Sequence, residues 1–204
     1  MSETLVRAPL VLDDAAADLL FRDARTPNNF SSEPVSDKQL RAIYELIKWA
    51  PTAFNAQPLR VVLVRSAAAK DRLLRHLFGS NAEKARSAPL VAILAADLRF
   101  DQELPRVFPH FPQAKDVHFS DPATREEAAL SYAQLQVGYF ILGVRAAGLA
   151  AGPMIGYNAS GIDLEFFPDG EHKVLTVVNI GKPGDDPWFQ RLPRLEYEEV
   201  FSEV

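Results

Sequence analysis

The spacing of apolar and polar positions along the chain predicts helices that alternate with short strands. A first helix is expected over residues 12–22. A second begins at a capping box, Ser36-Asp37-Lys38-Gln39, and ends by Ala50, because Pro51 disfavours helical geometry in the residue before it. A short strand at residues 60–65 and a helix over residues 67–78 follow.

Three further segments have longer apolar patterns. Residues 90–95 (LVAILA) and 174–180 (VLTVVNI) are continuous apolar runs, which are typical of strands covered on both faces. Residues 125–147 form one long predicted helix that is apolar nearly all round, the pattern of a central helix. Full burial of so long a helix is easier if a second subunit covers part of it, so this pattern favours a dimer.

Residues 98–122 differ from the rest because they are rich in proline and aromatic residues and lack clear periodicity. A long irregular segment inside a compact domain is often functional, and a packed surface excursion remains equally open. Gly148, Gly152 and Gly156 recur every four residues, and we expect them to form the turns that end the long helix.

Composition is typical of a globular protein of one domain. The 204 residues suffice for one sizeable core, so residues 1–204 are predicted as a single domain. Hydrophobic residues make up 48% and charged residues 24%, which argues against disorder and coiled coil. The absence of cysteine excludes disulfides, thiolate metal ligands and cysteine nucleophiles.

Charge and patterning argue against nucleic acid and membranes as partners. The net charge of −5 predicts no broad basic surface. The N-terminal residues MSETLVRAPLVLDDAAADLL are acidic where a signal peptide needs an apolar run after basic residues, so a cytoplasmic location is expected. The most apolar stretch, residues 128–155, contains Gln134, Gln136 and Arg145, which a membrane span does not readily tolerate.

Common catalytic signatures are missing. The chain has no G-x-G-x-x-G, G-x-x-x-x-G-K-[ST], H-E-x-x-H or G-x-S-x-G motif, which removes support for an ordinary Rossmann site, a P-loop, a zincin site and a hydrolase elbow. His110 and His118 could meet in a pocket, where substrate contact or plain surface exposure is favoured over a metal pair. We therefore predict no metal site and nominate no catalytic side chain.

Several short segments carry groups suited to a phosphate-bearing planar cofactor. A guanidinium, a hydroxyl and an amide lie together at Arg25, Thr26 and Asn28, and all three can donate to phosphate. The remaining candidates are Asn81 and Lys84, Arg191 and Arg194 in the tail, and a proline-flanked loop that holds Pro51, Thr52 and Asn55. Taken singly, each also fits a structural role, as a surface charge, a helix end or a turn former.

In combination, these segments resemble the FMN-dependent nitroreductase family. Arg25-Thr26-Pro27-Asn28-Asn29-Phe30 is similar to the family's opening arginine-serine-x-arginine-x-phenylalanine pattern. Residues 50–58 (APTAFNAQP) are similar to its proline-flanked amide loop, the most specific of the matches. The later matches, in the family's order, are Asn81 with Lys84, Pro153 with Gly156, and Arg194. The resemblance covers almost the whole chain.

This resemblance implies an α+β fold, a three-layer sandwich with a central, mostly antiparallel sheet flanked by helices, in an intertwined homodimer with FMN at the subunit interface. Near the ribityl phosphate it places Arg25, Thr26, Asn28, Lys84 and Arg194, with Arg191 to compensate for Asn28, which stands where many members have a basic residue. Against the flavin it places Pro51, Thr52 and Asn55 on one side, Asn81 near the pyrimidine ring, and Pro153, Met154, Ile155 and Gly156 on the other side, with backbone amides near N5 and O4.

The same resemblance implies an oxidoreductase in which NADH or NADPH donates hydride to FMN and a small acceptor then receives it. Within the family the likeness is greatest to malonic semialdehyde reductases of pyrimidine degradation (3-hydroxypropanoate dehydrogenases in the reverse direction), at residues 23–26, 48–52, 152–154 and 191–195. A broad nitroaromatic or quinone reductase remains an alternative, as does a non-catalytic flavin-binding or cofactor-free interaction protein. A carboxylate substrate needs a cation in the pocket, and the open candidates are Arg60, Arg99, Arg106, Arg125 and His118.

Overall fold

The computed structural model of the protein describes residues 10–204. Its strands are β1 (Leu59–Val64), β2 (Leu90–Asp97), β3 (Ala150–Met154) and β4 (His172–Gly181). Its α-helices are α1 (Asp14–Ala17), α2 (Asp37–Ile47), α3 (Ala67–Leu74), α4 (Ser80–Ser87), α5 (Leu104–Val107), α6 (Ala114–His118), α7 (Pro122–Ala146), α8 (Ala159–Phe166) and α9 (Tyr197–Val200). Single turns of other helix types occur at Asp18–Arg22 (π) and at Ala53–Asn55 and Phe100–Glu103 (3₁₀).

The four strands form one antiparallel sheet in the order β1-β2-β4-β3. The two middle strands, β2 and β4, carry the continuous apolar runs, and every residue of β2 from Leu90 to Ala96 is buried. A strand between two others has both faces covered and both edges paired, which is why its sequence needs no polar alternation. The strands predicted at residues 60–65, 90–95 and 174–180 are confirmed within two residues at each end.

Helices cover both faces of the sheet. On one face, Ile93 of β2 belongs to a buried cluster with Leu73 of α3 and Ile162 of α8. On the other face, the next residue of the strand, Leu94, belongs to a cluster with Val144 of α7 and residues of α2. Because successive strand residues point to opposite faces, one apolar run supplies both cores. The predicted three-layer α+β sandwich is confirmed.

Helix starts follow the capping signals in the sequence more closely than helix ends do. The Ser36–Gln39 capping box is present, with both reciprocal hydrogen bonds formed, and α2 ends at Ile47, ahead of Pro51. The helix predicted over residues 67–78 stops at Leu74, because the chain turns there so that Leu77 can pair with Tyr157. The first helix begins at Asp14, two residues later than predicted, where the Asp13 carboxylate caps it.

The long helix α7 packs on the sheet along one side. Its buried residues include Ala129, Ala133, Val137, Phe140 and Val144, which recur at intervals of three and four and so share one face. On the opposite side Leu135 is 48% exposed. Within one chain, therefore, a helix that is apolar nearly all round is buried on one side only, and the side that carries Leu135 is open to a partner.

Two segments contain more regular structure than their sequence indicated. Residues 98–122, which lack a clear sequence period, contain a 3₁₀ turn, α5 and α6, and Phe100, Leu104 and Phe119 are buried in a cluster with residues of α7. Residues 150–154 are strand β3 rather than a turn, since they pair with β4. Its Pro153 is tolerated because β3 is an edge strand, where a missing N–H interrupts no ladder.

Among residues 10–204, no helix combines the length and the apolar character that crossing a membrane requires.

Candidate functional site

The loop between α2 and β1 has an unusual backbone. Phe54, Asn55 and Gln57 have φ angles of 56°, 49° and 47°, in the left-handed region that residues other than glycine rarely adopt. Each such residue costs roughly 1–2 kcal/mol relative to ordinary geometry. Backbone strain of this kind persists only where surrounding contacts hold it, and it concentrates at functional sites.

Several hydrogen bonds hold this loop in shape. The Gln57 side-chain amide donates to the backbone oxygen of Asn55 at 3.0 Å and to its side-chain oxygen at 2.9 Å. The Gln57 backbone N–H donates to the Thr52 hydroxyl oxygen at 3.2 Å, and the Tyr139 hydroxyl of α7 donates to the Pro51 carbonyl at 3.1 Å. Thr52 and Asn55, both predicted to line the flavin, are therefore fixed by their neighbours before any ligand arrives.

Residues 98–122 support the same loop from outside. The Phe54 ring lies 5.5, 5.1 and 5.3 Å from the rings of Phe108, His118 and Phe119. The Asn55 side-chain amide donates to the Val107 carbonyl at 2.9 Å. His118 thus serves as an aromatic packing partner, and within the described chain no group of three or more His, Asp or Glu side chains is arranged to hold a metal ion.

A second group of predicted residues meets at the end of β3. The Asn81 side-chain amide donates to the Gly156 carbonyl at 3.1 Å, and the Phe78 backbone N–H donates to the same oxygen at 3.0 Å. A Cβ on Gly156 would lie 2.6 Å from the Asn81 amide nitrogen, so only glycine allows this approach. Ile155 projects outward and is 80% exposed.

Three polar groups at the end of β3 have no hydrogen-bond partner in the described part of the chain. Between residues 10 and 204, the backbone N–H groups of Ile155 and Gly156 find no acceptor, and the Asn81 side-chain oxygen finds no donor. Two adjacent donors beside one acceptor suit a planar heterocycle that presents carbonyl oxygens and an imide N–H. Next to them, burial raises the pKa of Tyr157 to about 12, with a smaller contribution from the charge of Asp163, so this phenol stays neutral.

The predicted phosphate-binding loop packs against the start of the C-terminal tail. The Arg25 guanidinium donates to the Phe189 carbonyl and lies 5.3 Å from the Trp188 ring centroid. Asn28 donates to the Pro187 carbonyl from its backbone at 2.9 Å and from its side chain at 3.2 Å. The Asn28 amide is therefore engaged in holding the tail.

Helix α4 adjoins this loop. The Phe30 backbone N–H donates to the Ser87 hydroxyl oxygen at 3.3 Å, and that hydroxyl donates to the Lys84 carbonyl at 2.9 Å. Arg194 follows in the exposed tail, where its guanidinium donates to the carbonyls of Leu192 and Pro193 at 3.0 Å. Arg191 and Thr26 are exposed.

The structure thus divides the predicted site residues into two sets. The first combines the Arg25 loop, α4 and the end of β3; its members are Arg25, Thr26, Asn28, Asn81, Lys84, Pro153, Met154, Ile155 and Gly156. Arg191 and Arg194 are grouped with this set because the start of the exposed tail packs on the Arg25 loop, although in the described chain no contact joins their own side chains to it. The second holds Pro51, Thr52 and Asn55 beside β1. Since β1 and β3 are opposite edges of a four-stranded sheet, about 14 Å separates their axes. The Met154 side chain points into the core, which leaves only its backbone to a ligand.

Two adjoining cavities border the second set. The larger, of about 480 Å³, lies between α2, β1, α5 and α7. Its charged lining residues are Lys48, Arg60, Glu103 and Arg106. The other, of about 430 Å³, is an open space bordered by Pro51, Asn55 and the exposed Trp49. Both are lined by Tyr44, Lys48 and Gln57, so they share a wall next to the strained loop.

Sequence reasoning missed three residues that shape the site. Phe54 and Gln57 hold the strained loop, and the exposed Phe78 lies beside Gly156. Phe54 and Gln57 stood inside the recognised motif, but nothing in their residue type reveals a left-handed backbone. Phe78 stands three residues before Asn81, and only the fold brings it to β3.

Comparison with known proteins identifies the family. A sequence model described as the nitroreductase family matches residues 22–182. A protein of Streptomyces griseus, provisionally named NADH dehydrogenase/NAD(P)H nitroreductase, is 62% identical over 195 residues, which are 96% of this chain and 99% of that protein. A Caulobacter vibrioides protein with the same provisional name is 45% identical over 189 residues, or 93% and 96% of the two chains.

Solved structures share the fold at low sequence identity. A nitroreductase assigned in Bacillus subtilis superposes with a TM-score of 0.83 at 23% identity, over 93% of this chain and 99% of that chain. A nitroreductase assigned in Exiguobacterium sibiricum, solved in complex with FMN, gives a TM-score of 0.79 at 17% identity, over 96% and 99% of the two chains. From the family match and the close relatives together, the chain belongs to the nitroreductase family.

Proposed function

We propose that the protein is an FMN-dependent oxidoreductase that takes hydride from NADH or NADPH and delivers it to a small acceptor, malonic semialdehyde, to give 3-hydroxypropanoate. The observation that carries the flavin proposal is the end of β3. There, two backbone donors at Ile155 and Gly156 adjoin the side-chain oxygen of Asn81, and none of the three groups has a hydrogen-bond partner among residues 10–204. The pyrimidine part of a flavin presents carbonyl oxygens and one imide N–H, the complement of these three groups.

The charges of the first set fit the phosphate of FMN. Arg25, Lys84, Arg191 and Arg194 supply four cations in a chain whose net charge is −5. The four cations lie on three elements, and the Arg25 loop packs on both of the others, α4 and the start of the tail. Guanidinium groups bind phosphate through paired, charge-assisted hydrogen bonds, which makes this end of the site suited to FMN rather than riboflavin.

When bound, FMN supplies the hydride chemistry itself. The chain's residues have three tasks: the cations hold the phosphate, the N–H groups of Ile155 and Gly156 stabilise negative charge on the ring, and the strained loop of residues 51–57 covers the opposite face from water. The neutral Tyr157 adds no opposing negative charge beside these donors.

A homodimer is part of this proposal. The two sets of residues expected on opposite sides of the ring lie at opposite edges of one chain's sheet. A second copy brings the loop of one chain to the β3 end of the other. The open side of α7, which carries Leu135, offers an apolar surface for that contact. We infer that each flavin site contains residues of both copies.

The names of related proteins support NAD(P)H as the hydride donor and FMN as the cofactor. The Streptomyces and Caulobacter relatives carry NAD(P)H nitroreductase in their names. A fold neighbour assigned in Staphylococcus epidermidis as an NAD(P)H:FMN oxidoreductase has a TM-score of 0.82 at 17% identity. Malonic semialdehyde as acceptor rests on the sequence resemblance at residues 48–52 and 191–195. The nitroreductase names favour a second candidate, a broad nitroaromatic or quinone reductase.

The test is anaerobic spectroscopy of purified protein. We expect bound flavin that is released on denaturation as FMN and not FAD. NADH or NADPH is expected to bleach its visible absorption, and malonic semialdehyde to restore it. Recovery with nitroaromatic compounds or quinones but not with malonic semialdehyde establishes the second candidate. A protein that binds FMN but is not reduced by either nucleotide is non-catalytic, and one that cannot be reconstituted with FMN ends the proposal.

A further inference from the structure

We propose that Arg106 binds the carboxylate of the acceptor and thereby gives the enzyme a preference for short anionic acceptors. This inference rests on the proposed function, because it takes the loop of residues 51–57 as one wall of the place where hydride is delivered. It names the substrate-binding cation that the sequence alone left open among five candidates.

The position of Arg106 is the first reason. Arg106 lines the cavity of about 480 Å³, together with Gln57 of the strained loop. The adjoining open cavity reaches Pro51 and Asn55 on the far side of Gln57. An acceptor held at the guanidinium of Arg106 therefore occupies space that is continuous with the wall of the flavin site.

A hydrogen bond fixes Arg106 relative to that loop. The Asn55 side-chain amide donates to the carbonyl of Val107, the next residue after Arg106, at 2.9 Å. The rings of Phe54 and Phe108 pack at 5.5 Å on the same contact. Because the two residues that follow Arg106 are both held, the Arg106 side chain extends from an anchored backbone, which a binding residue requires.

Two of the other candidates serve the structure. Arg125 donates to the carbonyls of Leu98 and Phe119 at 3.1 Å, and so closes the ends of the 98–122 segment. Arg99 pairs with Glu171 at 3.0 Å and is absent from the lining of both cavities. Neither guanidinium is directed to a ligand.

The remaining two candidates, Arg60 and His118, also contact other residues of the chain. Arg60 lines the cavity, but one of its terminal nitrogens is 2.6 Å from the mostly buried Asp97, and the other donates to the carbonyls of Gln57 and Leu59. The His118 ring packs against the rings of Phe54 and Phe111 and lines neither cavity. A substrate carboxylate would have to displace Asp97 to bind Arg60, and His118 lies outside the cavity walls.

Arg106 differs because Glu103, its one partner within the described part of the chain, is easily displaced. Glu103, one helical turn before it, accepts from the Arg106 Nε at 2.8 Å and lies 2.7 Å from a terminal nitrogen. The Arg106 side chain is 76% exposed, and exposed pairs of this kind contribute little to stability. A bound carboxylate can replace Glu103 with the same bidentate geometry.

The direct test is calorimetric titration of the flavin-loaded protein with malonate, a non-reducible dicarboxylate of the same carbon length as malonic semialdehyde. We expect Arg106→Gln to weaken malonate binding about two- to fivefold, the contribution of an exposed ion pair. Glu103→Gln removes the competing carboxylate and is expected to tighten it about two- to fivefold. Arg99→Gln, an exposed paired arginine outside the cavity, is the matched control and is expected to bind malonate as the wild type does.

Kinetics supply the second readout. For Arg106→Gln, the ratio of kcat/KM for malonic semialdehyde to kcat/KM for the neutral quinone menadione is expected to fall about two- to fivefold, mainly through KM for the aldehyde. Absence of any NAD(P)H-dependent reduction in the wild type contradicts the proposed function, while the malonate titration still decides on Arg106.

Three results overturn the inference. The first is that malonate does not bind the wild type. The second is equal malonate affinity in wild type and Arg106→Gln. The third is that Lys48→Gln, which removes another cation of the cavity lining, abolishes malonate binding while Arg106→Gln does not.

Discussion

The side-chain amide of Asn55 donates a 2.9 Å hydrogen bond to the carbonyl of Val107. This bond joins the strained loop before β1 to the segment of residues 98–122, which looked irregular in the sequence. With the Phe54 ring packed on Phe108, His118 and Phe119, the segment holds the loop in a conformation that it would not keep alone. Its contacts make it a scaffold for the candidate flavin site.

The first prediction separates strain from hydrogen bonding at Asn55. Asn55→Ala and Asn55→Gly both lose the bond to Val107 and the bond from Gln57, but alanine keeps a Cβ at a φ of 49° whereas glycine has none. We expect the free energy of unfolding in urea to fall by about 1 kcal/mol more for alanine than for glycine. Equal loss in both variants would show that the left-handed backbone is not strained.

The second prediction concerns Gly156. An added Cβ would lie 2.6 Å from the Asn81 amide nitrogen, so Gly156→Ala must displace Asn81 and disturb the donors that face the flavin ring. We expect FMN and riboflavin affinities, measured by fluorescence titration, to fall alike by about fivefold, the loss of one hydrogen bond. The control is Gly170→Ala. Its added Cβ would meet no atom within 4 Å, and Gly170, which has a positive φ, lies in the turn before β4. A loss of FMN affinity with unchanged riboflavin affinity would contradict a role of Gly156 at the ring end of the flavin.

The third prediction is a pH dependence at the contact between α3 and α8. The Glu165 carboxylate accepts from Arg72 at 2.7 Å and contacts His76 at 2.5 Å, and these bonds lower its pKa from 4.5 to about 2, with Arg72 the larger cause. A depressed carboxyl pKa contributes stability above the unfolded value, and this contribution is lost as pH falls from 4.5 towards 2.

The measurement is the urea midpoint as a function of pH. We expect wild type to be more stable than Glu165→Gln near neutral pH and the two midpoints to converge as pH falls from 4.5 to about 2. Glu198→Gln, an exposed substitution in α9, is expected to follow the wild type throughout. A constant difference between wild type and Glu165→Gln over this range would show that the carboxylate does not gain its stability from these partners.

The fourth prediction tests the open side of α7. Leu135 is 48% exposed there, so Leu135→Glu is expected to leave the chain folded but to place a charge in the proposed dimer contact. Light scattering should then report a dimer for the wild type and a monomer for the variant. Leu164→Glu, at a leucine that is 77% exposed on α8, is the control and is expected to stay dimeric. A flavin-bound wild-type monomer would contradict the dimer.

Much of the fold follows from local sequence. The runs LVAILA and VLTVVNI predicted both central strands, because a short run that is almost wholly apolar is typical of a strand covered on both faces. The Ser36–Gln39 box predicted the start of α2, because a cap depends on neighbouring residues alone. Strand β3 could not be predicted in the same way: residues 150–154 (AAGPM) have weak strand preference, and pairing with β4 decides their conformation.

The candidate site was predictable in its residue types and not in its geometry. The Arg25 loop, Asn81 and Gly156 were found as short motifs, and the structure brings Asn81 to Gly156 and the Arg25 loop to the tail. The opposite placement of Pro51 and Asn55 depends on strand order, which no local pattern encodes. The left-handed loop is likewise a tertiary effect, imposed by Val107 and its aromatic neighbours.

The most direct test of the account compares FMN with riboflavin in fluorescence titrations of wild type, Arg25→Ala and Arg194→Ala. Removing either guanidinium leaves the phosphate short of a charge-assisted donor, which contributes roughly 1.5–3 kcal/mol, so FMN affinity should fall about 10- to 100-fold. Riboflavin lacks the phosphate and should bind wild type and variants almost equally, whereas general misfolding would weaken both ligands. Arg191→Ala should match them if Arg191 compensates for the uncharged Asn28. Wild-type FMN affinity in both the Arg25 and Arg194 variants would contradict the proposed flavin site.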